Sequence, residues 1–559
     1  MVDKEKSKSW AIYYQDEAYS VSGERIMGRQ AAGNALLKGY ARSNINNIGV
    51  YAKNKSSFQS FIKDFEKLLP SGLNKNISYI PWGSPDKLKE FGGLYYPAPD
   101  ISSFSKQRYF YGHDTYSLIG ITHTTASQNA VNSILDAYIS PLREWDALIC
   151  TSKSVKDSVL TMYEGYNDYY KHTFGADIKH NFELPVIPLG VHTEDYQFNT
   201  KDILESRKRL NIKENDIAIL FIGRLSFHAK AHHIPMYLML ERIKEQLPKN
   251  INIHLIQTGW FPNERIKDIF VKEGKEMCPS VQLHFLDGRK KEDKRLSFAA
   301  SDIFISLVDN FQETFGLTPL EGMAAGLPSI VSDWNGYKDT VRDNVDGFRL
   351  PTSTLNETDY SLSLRHELGI DNYDHFIGRL SQTVTIDINS GITQILKLIN
   401  NPDLRKEISD NARKRAKEFD WVNIVNKYQE LKNELDNRRN ANQDYTWSFP
   451  PQNIYDPYKF FKSYPTFSIN DETVISFSNI NSHEISEFIK FKSVSFLENI
   501  VPDINEMKKL LSFIESKKKS SYIEIKKDNK NNDLLLKKMI IWLAKYGYII
   551  IEGELVDGS

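Results

Sequence analysis

Two glutamates, Glu313 and Glu321, flank the sequence TFGLTPL. The intervening N–H groups precede a predicted helix, and a helix start attracts anions, phosphate above all. A carboxylate would repel phosphate, so the glutamates need another ligand, and a diol suits an acceptor-only group with two oxygens. A phosphate pocket between two diol-binding carboxylates describes a nucleotide sugar. The residues that supply the N–H groups are Phe315, Gly316, Leu317 and Thr318.

The elements around this loop form a predicted strand–loop–helix–strand unit. The apolar, β-branched run Ile303–Leu307 has the length of a buried strand. Pro319 favours a helix start, where its missing N–H costs nothing, and Gly326 with Pro328 marks the helix end. The run at 329–332 reads as the next strand. The loop therefore lies at the carboxyl end of a strand, where open parallel sheets bind ligands.

A second element places two cations after another buried strand. The run Ile217–Ile222 is continuously apolar, and Gly223 and Arg224 follow it directly, with Lys230 a few residues later. Arginine can bind two phosphate oxygens at once, and lysine acts as a point charge. Both cations would offset the negative charge that builds on a diphosphate as its glycosidic bond breaks. Taken alone, the two side chains also fit ordinary surface cations.

These two elements resemble the signatures of a known enzyme family. The segment that begins at Glu313 resembles the E-x7-E motif of retaining family 4 (group 1) glycosyltransferases, which have the GT-B fold. The resemblance implies that Glu321 holds the ribose hydroxyls and that Glu313 holds hydroxyls of the donor sugar. Arg224 and Lys230 resemble the family's G-R-L…K element, with one more intervening residue than many members have. The alternative interpretation is that both glutamates are ordinary solvated residues at the ends of a helix.

The first half of the chain carries weaker, compatible signals. An apolar strand at 117–121 leads to His123, which resembles the family's interdomain histidine near the donor sugar. An imidazole can hydrogen-bond a sugar hydroxyl in either protonation state; a histidine with main-chain partners is the alternative. Gly23, in the loop after the first predicted strand, resembles the glycine-containing loop of the acceptor-side domain. Gly288 ends a later strand whose loop lies near the nucleotide base in the family.

Alternating strands and helices predict an α/β protein with doubly wound parallel sheets. The resemblance implies a GT-B fold, in which two Rossmann-like domains face a cleft. A small α+β C-terminal module follows, with a strand expected at Tyr522–Lys527 and, over 534–553, a helix that ends at Gly547 and is followed by a strand. Helix, turn and hairpin in this small basic module loosely suggest a winged helix. The predicted divisions are residues 1–198 (acceptor side), 199–436 (nucleotide-sugar side), 437–470 (linker) and 471–559 (accessory module).

Composition limits the partners. The 559-residue chain is 40% hydrophobic and 26% charged with a net charge of −1, so no overall basic field recruits nucleic acid. The lysines of the accessory module fit a solvated face. A winged helix could bind nucleic acid, but such folds also serve as protein-contact modules, and packing of this module against the transferase core or oligomerisation is the favoured role. Two cysteines suit a reducing compartment. The polar start and the absence of an apolar run of about 20 residues favour a cytoplasmic protein, with peripheral contact at the inner membrane face left open.

The resulting expectation is a retaining, metal-independent hexosyltransferase. It would move a sugar from a UDP- or GDP-linked donor to a hydroxyl of a carbohydrate, lipid-linked or protein acceptor, in bacterial polysaccharide or glycoconjugate synthesis. No cofactor beyond the donor and no metal-ligand cluster is expected from the sequence. The alternative from another class is a non-catalytic sugar-nucleotide-binding or scaffold subunit of a polysaccharide-assembly complex. A sugar-nucleotide epimerase is a third possibility, although the signatures of inverting GT-B proteins expected with it are not seen.

Overall fold

The first sheet contains six strands: β1 (Ala11–Tyr13), β2 (Asn47–Ala52), β3 (Asn76–Pro81), β4 (Gly93–Tyr95), β5 (Ser117–Ile121) and β6 (Ala147–Ile149). All pairs are parallel, in the order β3-β2-β1-β4-β5-β6. Strands β5 and β6 are buried throughout, because helices cover both faces of a parallel sheet. The helices are α1 (Asp16–Tyr19), α2 (Gly28–Arg42), α3 (Lys55–Glu66), α4 (Ser102–Arg108), α5 (Gln128–Tyr138) and α6 (Lys153–Phe174), with 3-10 turns at Pro85–Phe91, Tyr109–Tyr111 and Thr193–Tyr196.

The second sheet repeats this topology. Its strands are β7 (Ile217–Ile222), β8 (Ile253–Gly259), β9 (Gln282–Asp287), β10 (Ile303–Ser306), β11 (Ser329–Ser332) and β12 (Gly347–Leu350), in the parallel order β12-β11-β10-β7-β8-β9. Its helices are α7 (Thr200–Arg209), α8 (His233–Glu245), α9 (Glu264–Met277), α10 (Lys291–Ala300), α11 (Leu317–Ala325) and α12 (Tyr337–Thr340). In both sheets the first and fourth strands are neighbours, which is where a doubly wound sheet opens a ligand crevice.

The computed structural model describes residues 8–19, 28–442, 456–529 and 531–553, and the chain divides into two compact units, 1–452 and 453–559. After β12, a short antiparallel pair, β13 (Thr352–Ser353) and β14 (Thr385–Ile386), encloses two helices, α13 (Ser361–Glu367) and α14 (Tyr373–Ser381). Three longer helices complete the first unit: α15 (Ile388–Asn400), α16 (Pro402–Glu418) and α17 (Trp421–Ala441).

Helix α17 returns from the second domain to the first. Trp421, at its start, is 1% exposed and packs against the main chain of Gly39 and Gly190. A Cβ atom on Gly190 would lie 2.7 Å from the indole ring, so this loop needs glycine where the tryptophan is seated. The helix continues to Ala441, past the domain boundary predicted at 436. It therefore joins the two Rossmann-like domains along their shared side.

The C-terminal unit is a small α+β domain with its own core. Its elements are α18 (Pro457–Phe460), β15 (Val474–Phe477), α19 (Ile485–Phe488), α20 (Ile504–Lys517), β16 (Lys519–Ser521), α21 (Tyr522–Asp528), α22 (Asp533–Lys545) and β17 (Ile549–Glu552). The strands pair antiparallel in the order β16-β15-β17. Residues such as Ile475, Met507 and Leu543 are buried in this core. The helix and following strand predicted over 534–553 are present as α22 and β17, and β17 pairs with the distant β15. Among the described residues no two strands of this module are joined by a short turn, so the hairpin suggested for the module is not formed.

The strand predicted at Tyr522–Lys527 is wrong, because this segment forms helix α21. Ser521 and Glu524 make a capping box, in which each side chain bonds the main chain of the other. Tyr522 and Ile525 are buried three residues apart, which is helical spacing, and Ile523 is turned towards solvent. Within the part of the chain that the structure describes, none of the helices combines the length and apolarity needed to cross a bilayer.

Candidate functional site

The two cation- and carboxylate-bearing loops lie side by side at the crevice of the second sheet. They follow β7 and β10, which are paired neighbours. The Asn310 side-chain amide donates to the main-chain oxygen of His228 over 3.0 Å, and the Gln312 amide donates to that of Ala229. The two sequence-predicted elements are thus brought together by direct hydrogen bonds, although three strands and three helices separate them along the chain.

Lys230 and Glu313 form a buried ion pair at the centre of this site. Lys230 Nζ lies 2.5 Å from Glu313 Oε2, with the side chains 19% and 15% exposed. Burial alone would raise the pKa of the Glu313 carboxyl, but Lys230 and the amides of Phe315 and Thr314 outweigh it and hold that pKa below its ordinary value. Burial would likewise lower the Lys230 pKa, but Glu313 raises it. Both groups therefore stay charged at neutral pH.

The loop before α11 depends on Gly316. Its φ of +81° is unfavourable for other residues, and an added Cβ would lie 1.9 Å from the Tyr337 ring. The helix begins at Leu317, two positions before Pro319, the predicted start. A glycine has no side chain to cap the first turn, so main-chain N–H groups near Leu317 and Thr318 remain available to an anion. Tyr337 also contacts Ser306, 2.9 Å away, and burial raises its pKa to about 12.

Glu321 lies one helical turn further along α11, in a separate polar cluster. Lys294 donates to its carboxylate over 2.8 Å. The Lys294 ammonium also lies 5.7 Å from the centre of the Tyr196 ring. Burial raises the pKa of Tyr196 well above its ordinary value, and the neighbouring Glu321 carboxylate raises it further. The structure thus holds Glu313 and Glu321 at opposite ends of the loop and first helical turn, each beside a lysine.

Arg224 lies in the β7 loop with its guanidinium turned back on that loop. It donates to the Ala229 main-chain oxygen over 2.8 Å. The preceding residue, Gly223, packs so tightly that a Cβ on Gly259 would lie 1.8 Å from the Gly223 oxygen. Gly288 packs on the Gly259 main chain in turn, and its N–H donates to the Gly259 oxygen over 2.9 Å. These glycines end three adjacent strands, β7, β8 and β9, and place Arg224 at the carboxyl ends of the strands. Gly288 lies at the end of β9.

His123 meets the same loop from the first domain. The Thr314 hydroxyl donates to the His123 main-chain oxygen over 3.1 Å, and the Ser152 hydroxyl donates to the Thr314 oxygen over 2.8 Å. Burial, helped by the charge of Arg29, lowers the pKa of the His123 imidazole to about 4. The imidazole is therefore neutral at neutral pH. Gly23, the remaining predicted site residue, lies outside the described residues.

Several residues at this site were not predicted from the sequence. Tyr337 follows β11 within the run DWNGY. Because β11 is the neighbour of β10, residues after β11 lie near the loop after β10, but this inference requires the strand order. Asp309 is buried after β10; burial raises its pKa to about 7 despite a hydrogen bond from the His232 amide. Gln312, Ser152 and Tyr373 carry no local motif, because their contacts are made with distant parts of the chain.

Two Rossmann-like domains with a charged, amide-rich crevice between them define the GT-B class. Residues 202–365 match the family model described as glycosyl transferases group 1. The chain thus contains a region that matches group 1 glycosyltransferases within a GT-B fold, and the resemblance to group 1 glycosyltransferases noted from the sequence is confirmed. In the described residues no group of three or more histidine, cysteine, aspartate or glutamate side chains is arranged to hold a metal ion.

The similar proteins include glycosyltransferases of several kinds. The chain is 25% identical over 198 residues to a D-inositol 3-phosphate glycosyltransferase of Geodermatophilus obscurus, covering 34% of this chain and 41% of that protein. It is 24% identical over 170 residues to a lipopolysaccharide 1,2-N-acetylglucosaminetransferase of Salmonella typhimurium, covering 30% and 43%. These alignments span less than half of each relative. A glycosyltransferase structure from Rickettsia africae has the same fold, with a TM-score of 0.50, 16% identity, and coverage of 77% and 99%.

Proposed function

We propose that this chain is a retaining glycosyltransferase that moves a hexose from a nucleotide-diphosphate sugar to an acceptor hydroxyl. The observation that supports this most is the buried Lys230–Glu313 pair beside Arg224, at the uncapped start of α11. A cation pair and free main-chain N–H groups suit a diphosphate. A charged carboxylate at the same place suits sugar hydroxyls, since it accepts hydrogen bonds and repels phosphate.

Each side chain has a role in this proposal. Arg224, Lys230 and the N–H groups at the start of α11 bind the diphosphate. Glu321 accepts hydrogen bonds from the ribose hydroxyls at the far end of the loop. Glu313 and the neutral His123 imidazole orient the hexose, on the side where the second domain meets the first. The extra residue between Arg224 and Lys230 does not remove the lysine from the site, since it reaches Glu313.

The reaction breaks the bond between the anomeric carbon and the diphosphate oxygen, and the bonding electrons stay on that oxygen. The acceptor oxygen bonds the anomeric carbon on the same face, and its proton passes to the departing phosphate. Arg224 and Lys230 stabilise the charge that develops there, so neither a protein nucleophile nor a divalent ion is needed in this proposal.

The donor base, the sugar and the acceptor are proposed only as classes. The donor is UDP- or GDP-linked, and the acceptor is a carbohydrate, a lipid-linked intermediate or a protein. The names of the two relatives include D-inositol 3-phosphate and lipopolysaccharide, which supports a role in glycoconjugate or polysaccharide synthesis. The location proposed with this role is the bacterial cytoplasm, including the inner face of the membrane.

Donor hydrolysis by the purified protein tests the proposal. A thermal-shift screen of UDP- and GDP-sugars identifies the donor, because a ligand that binds the native state raises its melting temperature. Hydrolysis in excess chelator is expected for wild type and is expected to fall by at least about 100-fold in Glu313→Gln and Arg224→Ala. Release of the sugar with its original anomeric configuration supports retention. Full activity in both variants refutes the assigned roles, and binding without any turnover favours the non-catalytic alternative.

A further inference from the structure

Residues 354–384 form a folded segment between the two-residue strands β13 and β14. This segment is much longer than a connection between two antiparallel strands needs to be. Antiparallel strands can be joined by a two-residue turn, whereas here two helices lie between them. The bend between α13 and α14 is fixed by buried Asp371, which pairs with Arg365 and Arg379. The match to the glycosyltransferase family model ends at residue 365, inside this segment. The second helix of the segment, α14, therefore lies beyond the matched part.

Helix α14 packs directly on the loop that carries Arg224. A Cβ atom on Gly378 would lie 3.0 Å from the His228 Cβ atom. At the start of the helix, the Tyr373 hydroxyl donates to the Gln312 side-chain oxygen over 3.4 Å. The nitrogen of the same Gln312 amide donates to the Ala229 main-chain oxygen, which also accepts from Arg224. Tyr373 is thus linked to the proposed diphosphate cation by three hydrogen bonds, through Gln312 and the Ala229 oxygen, and it contacts the residue that precedes Glu313.

Tyr373 also faces the first domain. Burial raises the pKa of its hydroxyl, opposed by a hydrogen bond with the Thr124 side chain and by the positive charge of Arg224. Thr124 directly follows His123. The Tyr373 hydroxyl therefore sits where loops of both domains converge, and it keeps its proton at neutral pH as a neutral hydrogen-bond donor beside a cation.

We propose that Tyr373 is a donor-binding residue supplied by the segment between β13 and β14: its hydroxyl hydrogen-bonds a phosphate oxygen of the sugar nucleotide next to Arg224. This inference rests on the proposed function. The present bond to Gln312 is long for an O–H donor, whose usual distance to an acceptor is about 2.7–2.8 Å. A charged phosphate oxygen is a stronger acceptor than an amide oxygen, so the hydroxyl gains by exchanging one for the other. The bond strengthens further as negative charge builds on the leaving diphosphate.

The competing explanation is that Tyr373 only ties the two domains together through Thr124. The two explanations differ in which substitutions matter. Loss of the Tyr373 hydroxyl removes both interactions, whereas loss of the Thr124 hydroxyl removes only the tie. A matched control is Tyr360, which belongs to the same segment and is 77% exposed.

The experiment compares Tyr373→Phe, Thr124→Val and Tyr360→Phe in the full chain, with hydrolysis kinetics on the donor found by the screen and with UDP and GDP binding. Tyr373→Phe is expected to lower kcat/KM about tenfold, mostly through kcat, with an unchanged melting temperature in the absence of ligand. Thr124→Val and Tyr360→Phe are expected to stay within about twofold of wild type. Wild-type kinetics in Tyr373→Phe, or an equal loss in Thr124→Val, overturns the inference.

A crystal structure with UDP or GDP is a second readout that does not depend on the stability of any variant. Tyr373 Oη within hydrogen-bonding distance of a phosphate oxygen supports the inference, and Oη still on Gln312 overturns it. The proposed function is judged separately. If Arg224→Ala and Glu313→Gln abolish hydrolysis while Tyr373→Phe does not lower it, only the role of Tyr373 is wrong.

Discussion

At the scale of single residues, the Lys230–Glu313 pair sets the chemistry of the crevice. Each charge is stabilised there chiefly by the other, and the Phe315 and Thr314 amides also favour the Glu313 carboxylate, since burial alone would drive both groups towards their neutral forms. In wild type, the Glu313 pKa is lowered, so its contribution to stability is constant above its ordinary value of 4.5 and is lost only as the pH falls below it.

Lys230→Met is expected to destabilise the first unit by about 3–5 kcal/mol at pH 7, because it leaves a buried carboxylate without a counter-ion. The Glu313 pKa then rises above its unfolded value, so stability is present at low pH and is lost as the pH rises through the folded pKa. Denaturant unfolding from pH 4.5 to 8 should show this decline in the variant and little change in wild type. Adding Glu313→Leu should restore most of the stability; a double variant as unstable as the single one would contradict this account.

Gly316→Ala is expected to lower both stability and donor hydrolysis. The positive φ alone costs about 1–2 kcal/mol for alanine, and the added methyl group overlaps the Tyr337 ring. The loop before α11 must therefore shift. Unfolding by urea and kcat/KM for hydrolysis measure the two effects. Gly165→Ala is the control: it lies in α6 with open space around it, and there alanine should stabilise by roughly 0.5–1 kcal/mol. Equal behaviour of the two variants would show that Gly316 is not constrained by its surroundings.

At the scale of elements, α17 contributes to the stability of the first domain although it belongs to the sequence of the second. Trp421→Ala should cost about 3–5 kcal/mol, because it removes a buried indole packed on two glycines that cannot collapse into the space. Val422→Ala, at a neighbouring position that is 42% exposed, is the control and should cost well under 1 kcal/mol. Unfolding followed by intrinsic fluorescence and circular dichroism tests this. A similar loss in both variants would mean that α17 is not held by Trp421.

The same scale shows what could be predicted from the sequence. The sequence predicts the boundaries of strand β10, helix α11 and strand β11 to within about two residues, because apolar runs bounded by glycine and proline are local signals. The strand prediction for the segment of α21 is wrong, because Ile523 and Ile525 alternate with charged residues as they would in a strand. Its capping box at Ser521 and Glu524 is also a local signal, and it carried the better information.

The candidate site was predictable only where chemistry and motif coincide within one loop. Glu313, Glu321, Arg224 and Lys230 lie in such loops, although their roles stay predictions. Tyr337 and Tyr373 reach the crevice from other parts of the chain. The position of Tyr337 depends on the strand order, and that of Tyr373 depends on the folded segment between β13 and β14. No local pattern reports which strands become neighbours, so these contacts needed the three-dimensional structure.

At the scale of the whole molecule, the two compact units have separate buried cores. A chain that ends at residue 452 should fold and bind UDP or GDP as the full chain does, since every described residue assigned to donor binding lies before that point. Calorimetry of the full chain should show one transition more than the shortened chain does. Loss of nucleotide binding, or failure of the shortened chain to fold, would contradict the independence of the first unit.

The hydrogen bonds that Thr314 makes with His123 and Ser152 have a consequence for turnover. The loop that precedes α11 is fastened to the opposite domain at the position next to Glu313. If the proposed enzyme releases its nucleotide by separating the two domains, these two hydrogen bonds must break during that separation, and the loop then loses one of its supports. In that case the loop would loosen its hold on the ligand at the same time as the crevice opens.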